Sequence, residues 1–154
     1  MAFYFFDSSG LVKYYVAERG SDWVESIIDA QPPNSIALAQ IAGVEVVAAL
    51  ARRVRAGAAS AADAAAAIQL FRADFQAKFD VLPIHPARLD EAMNLAELHR
   101  LRGYDAIQLA FALSYQTQLT ARSLGSLTLI CADKELTQAA QAEGLLTDDP
   151  NQHP

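Results

Sequence analysis

Two short apolar runs, one near each end of the chain, are each closed by an aspartate: Ala2-Phe3-Tyr4-Phe5-Phe6 before Asp7, and Leu127-Thr128-Leu129-Ile130-Cys131-Ala132 before Asp133. Apolar runs of this length, bounded by polar residues, read as strands buried on both faces. The segments between them carry mostly helical spacing. Strands alternating with helices imply a parallel sheet covered by helices on both sides, an α/β fold. In such sheets ligands bind beyond the carboxyl ends of the strands, which is where both aspartates stand.

Ser8-Ser9-Gly10 lead into a helix through Leu11, Val12, Tyr14, Tyr15 and Val16, expected to end near Gly20. A second helix fits Asp22 to Ala30, stopped by Pro32-Pro33. Ser35 to Leu38 is a candidate strand, and Gln40 to Ala56 a helix with Gly57 as its C-terminal cap. Ser60-Ala61-Ala62-Asp63 resembles a capping box and opens an alanine-rich helix to about Lys78. Val81 to Ile84 suits a strand near a sheet edge, because Pro83 has no N–H to give a ladder. The helix from Ala87 to Leu101 carries Leu89, Met93 and Ala96 on one stripe. Ala106 to Leu113 is apolar nearly all round, as in a buried helix. A helix from Lys134 to Glu143 and a last strand over residues 144–147 complete the pattern. No repeat or linker interrupts it, so residues 1–147 read as a single domain and 148–154 as a polar tail.

The 154 residues suit one domain with a substantial core. A formal net charge of −6 repels nucleic acid in bulk, so any such binding needs a local basic patch and bound cations. Cys131 is the only cysteine; no intramolecular disulfide can form, and a reducing cytoplasm is the expected compartment. The N-terminus lacks the basic region of a signal peptide, and no apolar stretch approaches the ~20 residues that span a bilayer, so no membrane partner is expected.

Four acids occupy positions of interest: Asp7, Glu45, Asp105 and Asp133. Carboxylates gathered from distant segments repel one another, and a fold that collects them generally neutralises them with a hard cation such as Mg²⁺ or Mn²⁺. Each aspartate also suits helix capping, since each precedes or opens a helix. Glu45 is harder to explain that way: Val44, Val46, Val47, Ala48 and Leu50 leave little polar face around it. An ion pair with Arg52, two helical turns on, is the structural alternative. His85, His99 and His153 show no ligand spacing. Asp148 and Asp149, before Pro150, compete with Asp133 only as a second choice, a solvated turn being the simpler reading.

Asp7-Ser8-Ser9-Gly10-Leu11-Val12-Lys13-Tyr14-Tyr15 resembles the opening motif of PIN-domain ribonucleases, particularly VapC-type toxins of toxin–antitoxin pairs. Asp105-Ala106-Ile107-Gln108-Leu109-Ala110 resembles their central motif, and Ala132-Asp133-Lys134-Glu135-Leu136, running on to Glu143-Gly144-Leu145, their C-terminal one. The resemblance covers roughly residues 3 to 147. It implies a three-layer α/β/α sandwich with a central, mainly parallel sheet, and a Mg²⁺- or Mn²⁺-dependent endoribonuclease. Asp7 and Asp105 would be the principal metal ligands, with Glu45 and Asp133 completing the cluster directly or through water; Ser9 would orient Asp7. The resemblance also implies an RNA substrate, a cognate VapB-type antitoxin that obstructs the metal site, and a homodimer. One departure is that relatives often carry Ser or Thr where this chain has Cys131-Ala132 and Ala37-Leu38-Ala39.

Lys13, Arg52, Arg102 and Lys134, with Arg53 and Arg100, are candidate RNA-phosphate contacts by their nearness in sequence to the acids. Tyr14, Tyr15 and Trp23 suit either partner contacts or ordinary packing of the first helices. Two other functions compete. A metal-dependent phosphatase of the haloacid-dehalogenase type would place a second aspartate at position 9, where this chain has Ser9, and a receiver would need paired acids near the first strand. No Gly-rich phosphate loop occurs. A catalytically silent PIN-like interaction module is the non-enzymatic rival, and retention of all four acids argues against it.

Overall fold

Phe5 and Phe6, adjacent in the first strand, are both fully buried and belong to different hydrophobic clusters, so this strand has a core on either side. In the computed structural model, which describes residues 1–153, that strand, β1 (Phe3–Phe6), holds the centre of a five-stranded sheet. β2 (Ser35–Ala39) and β3 (Asp80–Leu82) continue it on one side, β4 (Leu127–Ile130) and β5 (Leu146–Asp148) on the other, in the order β3-β2-β1-β4-β5. All the pairings are parallel, which requires crossover segments, and helices supply them on both faces.

On one face, α1 (Ser8–Leu11), α2 (Ser21–Ile28), α3 (Ala42–Arg55) and α4 (Ala61–Ala77) pack Leu11, Val24, Val46, Leu50 and Phe71 against Phe6, Ile36, Leu38 and Ile130. On the other, α5 (Pro86–His99), α6 (Gly103–Ala121) and α7 (Lys134–Ala142) bring Leu95, Leu109, Phe111 and Leu136 onto Phe5, Ala37, Leu127 and Leu129. The result is the three-layer α/β/α sandwich. β3 lies at the edge as expected, but it runs Asp80–Leu82 and stops before Pro83 instead of including it; Gly57 (φ 71°) and Ser60 end α3 and cap α4 as expected.

Three expectations fail locally. The first helix stops at Leu11, and after a single 3₁₀ turn over Val12–Tyr14 the chain folds back. Lys13 drives this: it is buried, and its Nζ donates to Glu18 (3.0 Å) and to the Arg19 carbonyl (2.9 Å). α6 runs well past Leu113 to Ala121, and within this more polar stretch the Thr117 and Thr120 hydroxyls donate to carbonyls four residues back. Of the polar tail expected over residues 148–154, Pro154 lies outside the described residues and 148–153 are packed. Pro150 is buried in a 3₁₀ turn against Gly20, and the His153 ring stacks on Trp23 (centroids 3.9 Å apart) while pairing with Asp148 at 2.8 Å. Trp23, Tyr14 and Tyr15 are partly buried against the core that holds Phe6.

Candidate active site

The register sets Phe6 beside Ile130, and the Asp7 N–H donates to the Ile130 carbonyl at 3.1 Å, so the two strand-closing segments run side by side. The chain leaves β1 toward β2 and later returns on the opposite side as β4. That reversal makes a crevice at the carboxyl end of the sheet. Gly10 lets α1 close against it: a Cβ there would stand 2.8 Å from the Ile130 carbonyl oxygen.

Asp7 is only 4% exposed. Its Oδ2 accepts the Ser9 N–H (3.0 Å), the Ser9 hydroxyl (2.5 Å) and the Cys131 thiol (3.7 Å); Oδ1 takes none of these. The Ser9 hydroxyl oxygen in turn accepts from Ala132 N at 3.0 Å, tying the turn after β1 to the end of β4. Burial raises the Asp7 pKa, against the pull of those hydrogen bonds. Asp7 also caps α1, as Asp133 caps α7 through the Leu136 N–H. Capping and membership of an acidic site therefore coexist in the same residues.

Glu45 stands in the first turn of α3, delivered to the crevice by the short link from β2. Burial first, then the Asp7 charge, push its pKa up to about 7; a hydrogen bond from Gln108 opposes this, and the Asp105 charge adds to it. Arg52 is not its partner. Instead the Gln108 Nε2 donates to Glu45 Oε2 at 2.5 Å. Asp105, in the first turn of α6, is raised by burial against the attraction of Arg102, and feels both Asp133 and Asp7. Arg102 spans the outer acids, donating to Asp105 Oδ2 (2.9 Å) and to Asp133 Oδ2 (2.7 Å).

The fold thus couples Asp7 to Glu45 and Asp105, and Asp105 to Asp133. Among the described residues no three acid, histidine or cysteine side chains are closed into a ready-made cage. The donor set nevertheless suits a hard dication: it is built of carboxylate oxygens whose mutual repulsion a positive charge would relieve. Of the four acids, Glu45 lines a neighbouring cleft of about 470 Å³, together with Ser8, Ser9, Val12, Val44, Arg52 and Tyr104.

Arg52 and Lys134 are exposed, while Lys13 is spent on Glu18 and Arg19, which corrects its reading as an RNA contact. Arg53 pairs with Glu18 at 3.3 Å. The histidines are employed elsewhere: His85 caps α5, His99 pairs with Glu143 at 2.6 Å and His153 stacks on Trp23. Sequence reading passed over Gln108, the fully buried amide whose Oε1 has no hydrogen-bond partner. Its signal was available: one amide in an otherwise apolar helical segment, three residues after Asp105. Tyr104, 55% exposed at the cleft, was also missed and carries no comparable signal.

The PIN domain family matches residues 4–141, and the chain belongs to it. PIN domains are generally nucleases. Among solved structures, the chain is similar to PAE2754 from Pyrobaculum aerophilum, at 24% identity and a TM-score of 0.60 over 95% of this chain and 89% of that one. It is also similar to a chain of a toxin–antitoxin complex from Klebsiella pneumoniae, at 20% identity and a TM-score of 0.54 over 84% of this chain and 86% of that one. At these identities the likeness establishes the fold. No curated protein matches. Among the described residues no helix is long and apolar enough to cross a membrane.

Proposed function

We propose that this PIN domain is a Mg²⁺- or Mn²⁺-dependent endoribonuclease and the toxin of a VapBC-type toxin–antitoxin pair, acting in the cytoplasm. The observation that carries the nuclease reading is the convergence of Asp7, Glu45 and Asp105 from the end of β1, α3 and α6, close enough that the Asp7 charge raises the pKa of both Glu45 and Asp105, and the Asp105 charge that of Glu45. Asp7 and Asp105 would hold the ion, with Glu45 and Asp133 completing its surroundings directly or through water. When bound, the ion supplies Lewis acidity toward water and charge neutralisation at the phosphate.

The protein's own part follows from the contacts. Ser9 fixes the Asp7 carboxylate, and Gln108 fixes that of Glu45. Without the ion, burial and the Asp7 charge push Glu45 up to about 7; a bound dication would offset that repulsion and favour the carboxylate form that helps to hold it. Arg52 and Lys134 offer exposed cations to the RNA backbone, the local counterweight to a net charge of −6.

The toxin assignment draws on the motif resemblance and on the shared fold with the Klebsiella toxin–antitoxin complex. An apolar groove of about 580 Å³ between α3 and α4, lined by Gly43, Val47, Ala51 and Phe75, runs into the acid cleft through Val44 and Ala48. It gives an antitoxin segment a surface from which to obstruct the site. A homodimer belongs to the same reading. The test is cleavage of total cellular RNA by the purified protein with Mg²⁺ or Mn²⁺, beside EDTA and an Asp7→Ala/Asp105→Ala double variant. Discrete metal-dependent fragments should fall by more than about 100-fold in the variant. Intact RNA from folded, antitoxin-free, metal-loaded protein would favour the silent interaction module instead.

A further inference from the structure

Among the described residues, Arg102 is the one cation that pairs with any of the four acids. It precedes α6, and its guanidinium bridges Asp105 Oδ2 and Asp133 Oδ2 although the side chain is 71% exposed. The other oxygen of Asp133, Oδ1, already accepts the Leu136 N–H at the start of α7, so both oxygens of this carboxylate are engaged. Asp133 in this state cannot turn Oδ2 fully to a dication until Arg102 lets go.

We propose that Arg102 is a placeholder for the divalent cation, an inference that rests on the metal-dependent reading above. In the metal-free protein its single charge holds Asp105 and Asp133 side by side against their repulsion. When the ion binds, the guanidinium is displaced from the carboxylates and freed beside the cluster, where its planar donors match a phosphate. The exchange is feasible because solvent-exposed ion pairs are weak and cost side-chain freedom to maintain. A buried guanidinium would be trapped; this one is not. The arrangement also explains why the acids are near one another without forming a closed cage: the outer pair is spaced by an arginine fork.

The test is Mn²⁺ binding to the full chain, read from the electron paramagnetic resonance signal of free Mn²⁺, for wild type, Arg102→Gln and Arg52→Gln. Arg52 lines the cleft beside Glu45 but pairs with no acid, so it measures the general effect of removing a nearby charge. Circular dichroism melts establish that each variant is folded. Arg102→Gln should bind Mn²⁺ roughly three- to tenfold more tightly, the factor expected for releasing two exposed pairs, and Arg52→Gln less than about twofold. Equal or weaker binding by Arg102→Gln would overturn the placeholder role and leave Arg102 a positioning residue. Equal tightening in both variants would overturn it in favour of a diffuse field. If wild type binds Mn²⁺ but Arg102→Gln gains nothing, only the placeholder fails. If no variant binds, the metal-dependent reading fails with it.

Discussion

Replacing Glu45 with glutamine removes the carboxyl that the fold holds near neutrality. Its pKa is about 7 in the folded protein against an ordinary 4.5. Between these values the folded state binds more protons than the unfolded chain, so stability falls as pH rises. The contribution is fully favourable below about pH 4.5 and lost as pH passes through about 7. At about 1.4 kcal/mol per tenfold change, complete burial would cost about 3 kcal/mol at pH 8. Glu45 is partly open to the cleft, and solvent screening reduces this to about 1–2 kcal/mol. For a domain of this size that is about 2–8 °C in Tm. The amide variant keeps an acceptor for Gln108 Nε2 and has no charge to desolvate. Melts in EDTA at pH 5, 6, 7 and 8 should show the Tm of wild type falling below that of Glu45→Gln, the gap opening above about pH 4.5 and nearly complete by about 7. Parallel Tm profiles for the two proteins would refute the reasoning, because they would mean that Glu45 titrates as it does in the unfolded chain.

Three further outcomes follow from the same contacts. Mg²⁺ at 100 times its dissociation constant should stabilise the protein by about 2.7 kcal/mol at pH 8 and by less at pH 5.5, where the acids must first lose protons; thermal melts at the two pH values check this. Gln108→Leu, close to isosteric, strips Glu45 of its donor and should cost about 1–3 kcal/mol at pH 8 but less at pH 5, by urea unfolding. Gly10→Ala drives a methyl toward the Ile130 carbonyl and should destabilise by about 1–3 kcal/mol, while Gly103→Ala, with open space at its Cβ, should not.

Much of the architecture was legible because it rests on short-range signals. The runs before Asp7 and Asp133 mark β1 and β4 by length and apolarity, and parallel pairing then places both aspartates at one end of the sheet. Pro83 marks the end of β3, because a missing N–H is a property of the residue alone. What escaped depends on partners remote in sequence. Lys13 looked like a surface cation because nothing nearby in sequence announces that Glu18 and the Arg19 carbonyl will enclose it. The last residues looked like a tail because their anchors, Gly20 and Trp23, lie at the other end of the chain. Asp7 and Asp133 could be read as caps or as cluster members, and the structure makes them caps within a shared crevice. Gln108 went unread because an amide in an apolar helix has no meaning until the glutamate it meets is known.

The central position of β1 has a consequence for biosynthesis. The strand that carries Asp7 is made first, yet one of its edges stays unpaired until β4, 124 residues later by the Phe3 to Leu127 register, leaves the ribosome. Asp7 cannot take up its bond to Ile130, nor Ser9 its bond to Ala132, before that moment. Until β4 is made, Asp7 and Glu45, joined late by Asp105, lack the strand pairing that closes the crevice. The crevice therefore comes into being only after residues 127–130 have emerged, and its assembly is a late event in the making of the protein.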